Sequence, residues 1–359
     1  MSIAEASLET GFDVIIGYGE LGGANPSHLK EKGFKTYFVP MHRGGTNLFE
    51  ELKTLYFLGA LIKKVRPDIL HLVTIKPYLY GGILARLMHV PCVVSAVAGL
   101  GSLFIQEKFW AKFLRFLLFP IYKFSFGHPN QRVIVQNQED AKSLINWGVL
   151  NLKKVCLIKG SGVNLKHFTK LDEPKSMPTV CFASRLLRDK GVYELVSAAR
   201  QIKNKGFEVR FLLAGEVDLK NPSGLNFEEL KNLREEGVVE VLDYQKDIPS
   251  LYAESHIVCL PSYREGLPKS LAEAAAASRA IVTTDVPGCR DTIIPNKSGL
   301  LVPVKNSKKL ADALQWLIEN QEERINMGKI GRNLAEREFN IEKIVLEHLN
   351  IYQLLLNKR

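Results

Sequence analysis

Short apolar runs alternate with helical stretches along this 359-residue chain, and this alternation restricts the fold more than any other feature. The runs have the length and the content of β-branched residues that buried strands show. They lie at residues 14–16, 69–73, 93–97, 132–135, 179–183, 210–214, 238–242, 257–260 and 280–283, and predicted helices include residues 48–65 and 78–87. Such alternation is typical of a parallel sheet with helices on both faces, so we expect an α/β fold.

The predicted strands form two series, and a polar stretch at residues 166–178 joins them. A chain of this length supports two domains, each with its own core. We therefore predict two Rossmann-like domains facing a cleft, at residues 1–164 and 165–338, and a C-terminal helix at residues 339–359 that packs back toward the first domain. Ligands of such folds bind at the strand ends that face the cleft.

The composition excludes several classes of protein. The five cysteines are scattered without a paired spacing, so we interpret them as free thiols in a reducing compartment and not as a disulfide framework or a zinc site. No run of 18 apolar residues is present, and no signal peptide is visible. The expected location is therefore cytoplasmic.

Positive charge is concentrated in the first half of the chain. Residues 1–164 hold 19 Lys and Arg against 11 Asp and Glu, whereas residues 165–359 hold 29 against 27. A basic surface attracts nucleic acid or an anionic membrane. No stacking motif or zinc knuckle indicates binding to nucleic acid, so we expect no such partner.

Residues 103–126 favour the membrane. Lys108, Lys112 and Arg115 are spaced four and three positions apart, so they form one stripe of a helix. The other faces of this helix, with Trp110, are aromatic or aliphatic, which suits the headgroup region of an anionic bilayer. A core helix whose charged stripe faces water is the alternative interpretation.

A pair of carboxylates marks the candidate site in the second half of the chain. Glu265 and Glu273 lie eight positions apart around a strand-to-helix turn. The backbone N–H groups of Gly266 and Leu267, followed by Pro268, lie just before the helix N-terminus, a position that attracts anions. Two acceptors beside these donors suit a polar ligand such as a nucleotide sugar. Two glutamates on a solvated helix face would show the same spacing.

A second motif follows the predicted strand at residues 179–183. Arg185 lies just past this strand and Lys190 five residues later. The two side chains are placed to clamp a diphosphate, one as a planar fork and the other as a point charge. Ordinary surface charge at a helix start is the alternative interpretation.

On these residues the chain resembles the retaining glycosyltransferases of family 4, which have the GT-B fold. The resemblance implies that Glu265 is catalytic and lies under the donor sugar, and that Glu273 binds the ribose hydroxyls. It assigns Arg185 and Lys190 to the donor diphosphate. Gly215 matches the glycine turn that admits the nucleotide in this family.

Further segments look like the bacterial branch of the family that builds cell-surface polysaccharides such as capsule and O-antigen. They are residues 73–77, 98–101 and 160–163, and residues 247–249 resemble the loop at the base edge. The resemblance implies a hexosyl- or N-acetylhexosaminyltransferase whose first domain serves the acceptor and whose second domain serves the donor. The implied donor is a nucleoside-diphosphate sugar, UDP-linked. The implied acceptor is an undecaprenyl-diphosphate-linked sugar at the inner face of the cytoplasmic membrane, where the protein would be peripheral.

No metal or other cofactor is expected, because cationic side chains would hold the leaving group and no Asp-x-Asp motif is present. His71 and His128 are candidate bases. An apolar strand surrounds His71, however, and a packing role is equally open for it.

The chain departs from the family at two places. Ser184 stands where glycine is common, and residues 1–10 resemble the helix that follows the family's first strand and Gly-rich loop. We therefore expect the N-terminal domain to lack that strand. An inactive, truncated glycosyltransferase remnant is one alternative function. An enzyme similar to the UDP-sugar 2-epimerases, which share the two-domain architecture, is another.

Overall fold

The computed structural model describes residues 2–20, 27–42, 47–100, 109–219 and 221–358, and it describes only the backbone of Ala111. The chain divides into two compact units, Met1–Ile158 with Val345–Arg359, and Lys159–Ile344. The C-terminal residues thus pack with the first unit.

The elements of the described residues follow the alternation expected from the sequence. The strands are β1 (Ile15–Tyr18), β2 (Lys35–Phe38), β3 (Ile69–Val73), β4 (Cys92–Val97), β5 (Gln131–Val135), β6 (Val155–Leu157), β7 (Thr179–Ala183), β8 (Arg210–Ala214), β9 (Glu240–Leu242), β10 (Ile257–Leu260), β11 (Ala280–Thr284) and β12 (Gly299–Val302). The helices are α1 (Ile3–Glu9), α2 (Ser27–Glu31), α3 (Leu48–Val65), α4 (Gly82–Leu87), α5 (Phe109–Ser125), α6 (Gln138–Asn146), α7 (Val192–Asn204), α8 (Phe227–Glu236), α9 (Ile248–Ala253), α10 (Lys269–Ala276), α11 (Ser307–Glu319), α12 (Gln321–Glu338) and α13 (Ile341–Leu356).

The described strands of the second unit form one parallel sheet in the order β12-β11-β10-β7-β8-β9. Every residue of β7, β10 and β11 is buried, as expected of parallel strands covered on both faces. The direction of chain progression reverses at β7, since β8 lies on one side of it and β10 on the other. Such a reversal leaves a crevice at the carboxyl ends of the strands, where ligands of doubly wound sheets bind.

Helix α10, which carries Glu273, is held in place by α12. The alanine-rich α10 is buried along most of its length, and α12 packs against it. Arg332 of α12 donates hydrogen bonds to the carbonyl oxygens of Ala276 at 2.6 Å and of Phe168 at 2.7 Å. The bond to Ala276 satisfies one of the carbonyl groups that have no hydrogen-bond partner within α10 at its C-terminal end. Glu273 therefore lies on a rigid element.

The described strands of the first unit form two separate parallel sheets, β3-β4-β5-β6 and β1-β2. Helix α3 joins the two sheets through one core, because Leu58 and Ile62 pack in the same cluster as Val39 beyond β2 and Leu72 of β3. β1 and β3 each keep an edge that no described strand pairs.

Helix α3 has the bounds that the sequence predicted. The side chain of Asn47 accepts a hydrogen bond from the N–H of Phe49 at 3.0 Å, and Arg66, in the left-handed region with φ 49°, ends the helix. The helix exposes an apolar stripe that we did not predict. Its members are Leu48, Phe49, Leu52 and Tyr56.

The predicted helix at residues 78–87 begins with a π-helical turn, Pro77–Gly81, and continues as α4. The hydroxyl of Ser125 at the end of α5 donates a hydrogen bond to the carbonyl oxygen of Tyr78 in this turn. A Cβ atom at Gly82 would overlap the same hydroxyl. A glycine and a serine thus allow α4 to lie directly against α5.

Candidate active site

The loops that follow β7 and β8 are tied together at the crevice. The N–H of Ser184 donates to the carbonyl oxygen of Ala214 at 3.1 Å, and the N–H of Leu186 donates to the carbonyl oxygen of Glu216 at 3.0 Å. A Cβ atom at Gly215 would overlap the carbonyl oxygen of Ser184, so the close approach of the two loops requires glycine there. Gly215 thus allows the two loops to approach; its implied role in admitting the nucleotide stays a prediction.

The loop that follows β10 is tied to the loop that follows β7. The carbonyl oxygen of Asp189 accepts hydrogen bonds from the N–H of Tyr263 at 2.8 Å and from the hydroxyl of Ser262 at 3.2 Å. Gly191, with φ 77°, packs so closely on the carbonyl of Pro261 that any side chain would overlap it. The two predicted motifs therefore meet in space.

Lys190 and Glu265 form an ion pair where these two loops meet, and both side chains are largely buried. Gly266, Leu267 and Pro268 follow Glu265 in the chain. Leu267 is buried, and it packs against Gly160, where a Cβ atom would lie 2.7 Å from a Leu267 methyl carbon. These residues connect the ion pair to the first turn of α10.

Pro268 precedes the first residue of α10, and no side chain caps this helix N-terminus. The helix starts at Lys269, two positions after Leu267. The backbone N–H groups that open the helix are thus those of Lys269 and Ser270, and both residues line the cavity described next. The positive end of the helix dipole is therefore directed toward the site.

A cavity of about 390 Å³ lies at the carboxyl ends of β7 and β8. Of the predicted site residues, Arg185, Gly215 and Glu273 line it, whereas Lys190, Glu265 and the segment 266–268 do not. Arg185 donates to Asp218 at 2.8 Å, and its side chain is about half exposed. The guanidinium thus has an anionic partner that a ligand phosphate would have to displace or share.

Glu273 is the buried acid of the cavity, with 8% of its surface exposed. Burial raises the pKa of this carboxyl group, while Lys269, at 3.1 Å, and His167 act in the opposite direction. A partly desolvated acceptor beside cationic groups suits ligand hydroxyl groups, which replace the lost water.

Several lining residues were not predicted from the sequence. The exposed ring of Tyr244 and the side chains of Gln245 and Lys246 follow β9, and His167 and Phe168 lie on the strand-free segment before β7. Ile248 and Pro249 line the cavity, as the resemblance to a base-edge loop implied, but Asp247 accepts a hydrogen bond from the N–H of Ser250 and caps α9. Single loop residues have no periodic pattern, so only that weak motif signalled this wall of the cavity.

Comparison with known proteins identifies the family. Residues 164–334 match the family described as glycosyl transferases group 1, and residues 8–137 match the family described as glycosyl transferase 4-like. An N,N'-diacetylbacillosaminyl-diphospho-undecaprenol alpha-1,3-N-acetylgalactosaminyltransferase from Campylobacter jejuni is 33% identical over 314 residues, which cover 84% of this chain and 81% of the relative. The chain belongs to the family 4 glycosyltransferases. A UDP-Gal:alpha-D-GlcNAc-diphosphoundecaprenol alpha-1,3-galactosyltransferase from Escherichia coli is 25% identical, over 90% of this chain and 85% of its own length.

Solved structures show the same fold. Sucrose-phosphate synthase from Thermosynechococcus elongatus superimposes with a TM-score of 0.81 at 22% identity, covering 99% of this chain and 92% of that one. Anabaena HepE in complex with UDP and glucose superimposes with a TM-score of 0.79 at 17% identity, covering 98% and 94%. The glycosyltransferase therefore has the predicted GT-B fold, with two parallel-sheet units.

In the first unit of the glycosyltransferase, α5 carries the residues predicted to contact a membrane. Trp110 is 53% exposed, Lys112 is exposed and Arg115 is half-buried, while Lys108 lies outside the described residues. The aromatic and aliphatic side chains exposed on α5 are Phe109, Trp110, Phe113, Leu114, Phe116, Leu117 and Ile121. The apolar body of α5 is thus largely on the surface and not in the core. Among the described helices, none is both long and apolar enough to cross a membrane.

The two candidate bases lie in the first unit. His71 of β3 shares a hydrogen bond of 2.5 Å between its Nδ1 and the hydroxyl of Tyr352, and burial lowers the pKa of His71 to about 3. The contact between His71 and Tyr352 thus joins β3 to α13. His128 lies in the wall of a separate cavity, and burial lowers its pKa as well. Within the described ranges, no group of three His, Cys, Asp or Glu side chains is arranged to hold a metal ion.

Proposed function

We propose that this glycosyltransferase transfers a hexose or an N-acetylhexosamine from a UDP-sugar to an undecaprenyl-diphosphate-linked acceptor, with retention of anomeric configuration. The observation that carries the proposal is the convergence of Arg185 and Glu273 on one cavity at the carboxyl ends of the parallel strands, beside the Lys190–Glu265 ion pair. The Campylobacter and Escherichia relatives, which are named for acceptors of this class, support it.

The donor would bind with its diphosphate toward Arg185 and Lys190. An arginine fork and a lysine point charge together match two negatively charged phosphates. The ribose hydroxyls would donate to Glu273, whose carboxylate is desolvated and held by Lys269. The base would lie toward Tyr244 and the segment 248–249, which form the far wall of the cavity.

Charge would build on the leaving diphosphate in the transition state. Arg185, Lys190 and the first N–H groups of α10 would stabilise that charge, with the phosphates sharing Arg185 with Asp218 and Lys190 with Glu265. The acceptor hydroxyl would attack the anomeric carbon from the face that the diphosphate leaves, which retains the configuration. Glu265 would orient the sugar hydroxyls under the reacting centre. Because side chains and backbone supply the positive charge, we propose that no divalent metal takes part.

The acceptor would be reached at the inner face of the cytoplasmic membrane, through the first unit. Helix α5 offers exposed aromatic rings with Lys112 and Arg115 along the same helix. In an interfacial helix, apolar side chains enter the headgroup layer and basic side chains contact anionic lipids. Helix α5 has both kinds of side chain. The exposed stripe on α3, with Phe49 at 82% exposure, offers a second apolar contact on the same unit.

The proposal is tested by turnover with a UDP-sugar and a short-chain polyprenyl-diphosphate sugar acceptor, with nuclear magnetic resonance to determine the anomeric configuration of the product. We expect product only when both substrates are present, and we expect the anomeric configuration of the donor to be retained. Interconversion of the UDP-sugar without acceptor would instead show an epimerase. A folded protein that binds UDP but turns over no donor across a panel of UDP-sugars would show an inactive remnant.

A further inference from the structure

A cavity of about 480 Å³ lies in the first unit, where α4 and α5 end and where β4 and β5 begin. It is formed within the first unit alone, so it is separate from the donor cavity of the second unit. Its lining includes Arg86, His89, Gly127 and His128, and no acidic residue is among the described residues that line it. Nothing in the reaction proposed above uses this cavity.

Arg86, which lines this cavity, and Lys154, which lies next to its wall, are both held by neutral groups. Arg86 lies with its guanidinium 4.4 Å from the centre of the Phe124 ring and donates to the carbonyl oxygen of Phe124 at 3.3 Å. Lys154 donates to the carbonyl oxygens of Phe126 at 2.9 Å and of His128 at 2.6 Å. Neither cation forms an ion pair with a described residue. Carbonyl groups satisfy hydrogen bonds but carry only partial charge, so most of the positive charge stays uncompensated.

The buried groups near the cavity are affected by this positive charge. Burial lowers the pKa of Lys154, and the charges of Arg86 and Arg132 lower it further. Burial likewise lowers the pKa of His128; backbone hydrogen bonds with Val90 and Asn130 act in the opposite direction, and the charges of Lys154 and Arg86 lower it further. No described carboxylate is among the groups that shift the pKa of Lys154 or of His128. The region is therefore a pocket of positive potential, which attracts anions.

His128 lies in the cavity wall with 4% of its surface exposed, and backbone hydrogen bonds with Val90 and Asn130 act on its ring. The donors that can meet a ligand are therefore those of Arg86. Its contact with the carbonyl oxygen of Phe124 uses one of the five N–H groups of the guanidinium.

We propose that this cavity binds a phosphate group through the guanidinium of Arg86, with Lys154 adding positive charge from behind the cavity wall and His89 at the exposed mouth. The planar fork of a guanidinium matches two oxygen atoms of a phosphate. Gly127 leaves room for the guanidinium, because a Cβ atom there would overlap its Nη1. The phosphate comes either from a phospholipid headgroup or from a free phosphate compound. The inference does not depend on the proposed transfer reaction.

The test is a calorimetric titration of the full-length protein at low salt with inorganic phosphate and with sn-glycerol 3-phosphate. His89 is exposed and has φ 55°, a conformation that Asp and Asn adopt readily, so both variants should fold. We expect His89→Asp to weaken binding by about tenfold, because it places a negative charge at the mouth. His89→Asn, the matched neutral control, should stay within about threefold of the parent, and Arg86→Gln should weaken binding as His89→Asp does.

Co-sedimentation with vesicles of mixed phosphatidylglycerol and phosphatidylcholine then separates the two sources. Tighter binding of glycerol phosphate than of inorganic phosphate, with weaker vesicle binding by His89→Asp, identifies a lipid headgroup. Equal affinities with unchanged vesicle binding identify a free phosphate compound. The proposal is wrong if the parent binds neither compound, or if His89→Asp and Arg86→Gln both leave the affinities unchanged.

Discussion

Lys190 and Glu265 lie 75 positions apart in the chain, and they form a largely buried ion pair between the loops that follow β7 and β10. The pair exists because these two strands are neighbours in the parallel sheet and because the carbonyl of Asp189 holds the second loop against the first. In the proposed complex the donor diphosphate would share the ammonium of Lys190 with Glu265. The same contact would then orient the carboxylate under the donor sugar.

Removing the guanidinium of Arg185 should weaken donor binding. We expect Arg185→Ala to reduce the free energy of UDP binding by roughly 1.5–3 kcal/mol, the scale of a charged hydrogen bond. Calorimetry with UDP measures the change. Arg188→Ala is the matched control, because Arg188 lies on the same loop, pairs with Glu229 and does not line the cavity. Equal affinities of Arg185→Ala and the parent, with an intact fold, would remove Arg185 from the donor site.

Substitutions of the two glutamates of the motif should affect different kinetic parameters. Glu273→Gln should raise the KM for the donor with little effect on kcat, since ribose contacts are the same in the ground state and the transition state. Glu265→Gln should chiefly lower kcat, because its contacts act where the sugar distorts. Steady-state kinetics with donor and acceptor measure both changes. If both variants turned over like the parent, the motif would have no part in the reaction.

Burial of Glu273 should appear in the pH dependence of stability. Its pKa is raised in the folded protein, so its contribution to the free energy of unfolding is most favourable at low pH and falls as the pH rises through the folded pKa. Glu273→Gln stays neutral, and we therefore expect it to become more stable relative to the parent as the pH rises from acid to neutral. Urea unfolding across this pH range measures the difference. The exposed Glu228→Gln serves as control, and a difference for Glu273→Gln that does not vary with pH would contradict the prediction.

The basic residues of the segment 103–126 should hold the protein on anionic vesicles. Each Lys or Arg near such a surface contributes about 1 kcal/mol at low salt. Changing Lys108, Lys112, Arg115 and Lys123 together to Gln should release the protein from phosphatidylglycerol vesicles in co-sedimentation, and high salt should do the same through screening.

The control for that experiment carries the same loss of charge in the second unit. It changes Lys203, Lys205, Lys308 and Lys309 to Gln. We expect the control to sediment with vesicles as the parent does. If the parent protein does not sediment with these vesicles at low salt, the result would indicate a soluble acceptor.

Chelation of divalent metal should leave the reaction unchanged. In the proposed reaction, Arg185, Lys190 and the N-terminus of α10 would supply the positive charge that a metal ion would otherwise bring to the leaving diphosphate. We expect kcat and the donor KM to be the same with EDTA as with added magnesium or manganese. A loss of turnover in EDTA that added metal restores would show that these groups are insufficient.

The sequence by itself determined nine of the twelve described strands, the helices at residues 48–65 and 78–87 and the two motifs, and it missed the short strands β2, β6 and β12. The runs at residues 179–183, 210–214 and 257–260 have the bounds of β7, β8 and β10, because burial on both faces of a parallel sheet leaves an uninterrupted apolar signal. The run at residues 69–73 has the bounds of β3, although β3 is only partly buried. Helix α3 has its predicted bounds because Asn47 begins it and Arg66 ends it, and both signals are local.

Only the tertiary structure decided how the site is assembled and which residues line it. The Lys190–Glu265 pair depends on the neighbour relation of β7 and β10 and on close backbone contacts at Gly191. His167 and Tyr244 reach the cavity at the carboxyl ends of β7 and β8 from loops, where no periodicity marks a residue that lines a cavity. The sequence left open whether the aromatic side chains of α5 lie in the core or on the surface. Amphipathic patterning shows which residues share a face of a helix, but it does not show whether that face is covered. The packing of the first unit shows that most of these side chains are exposed.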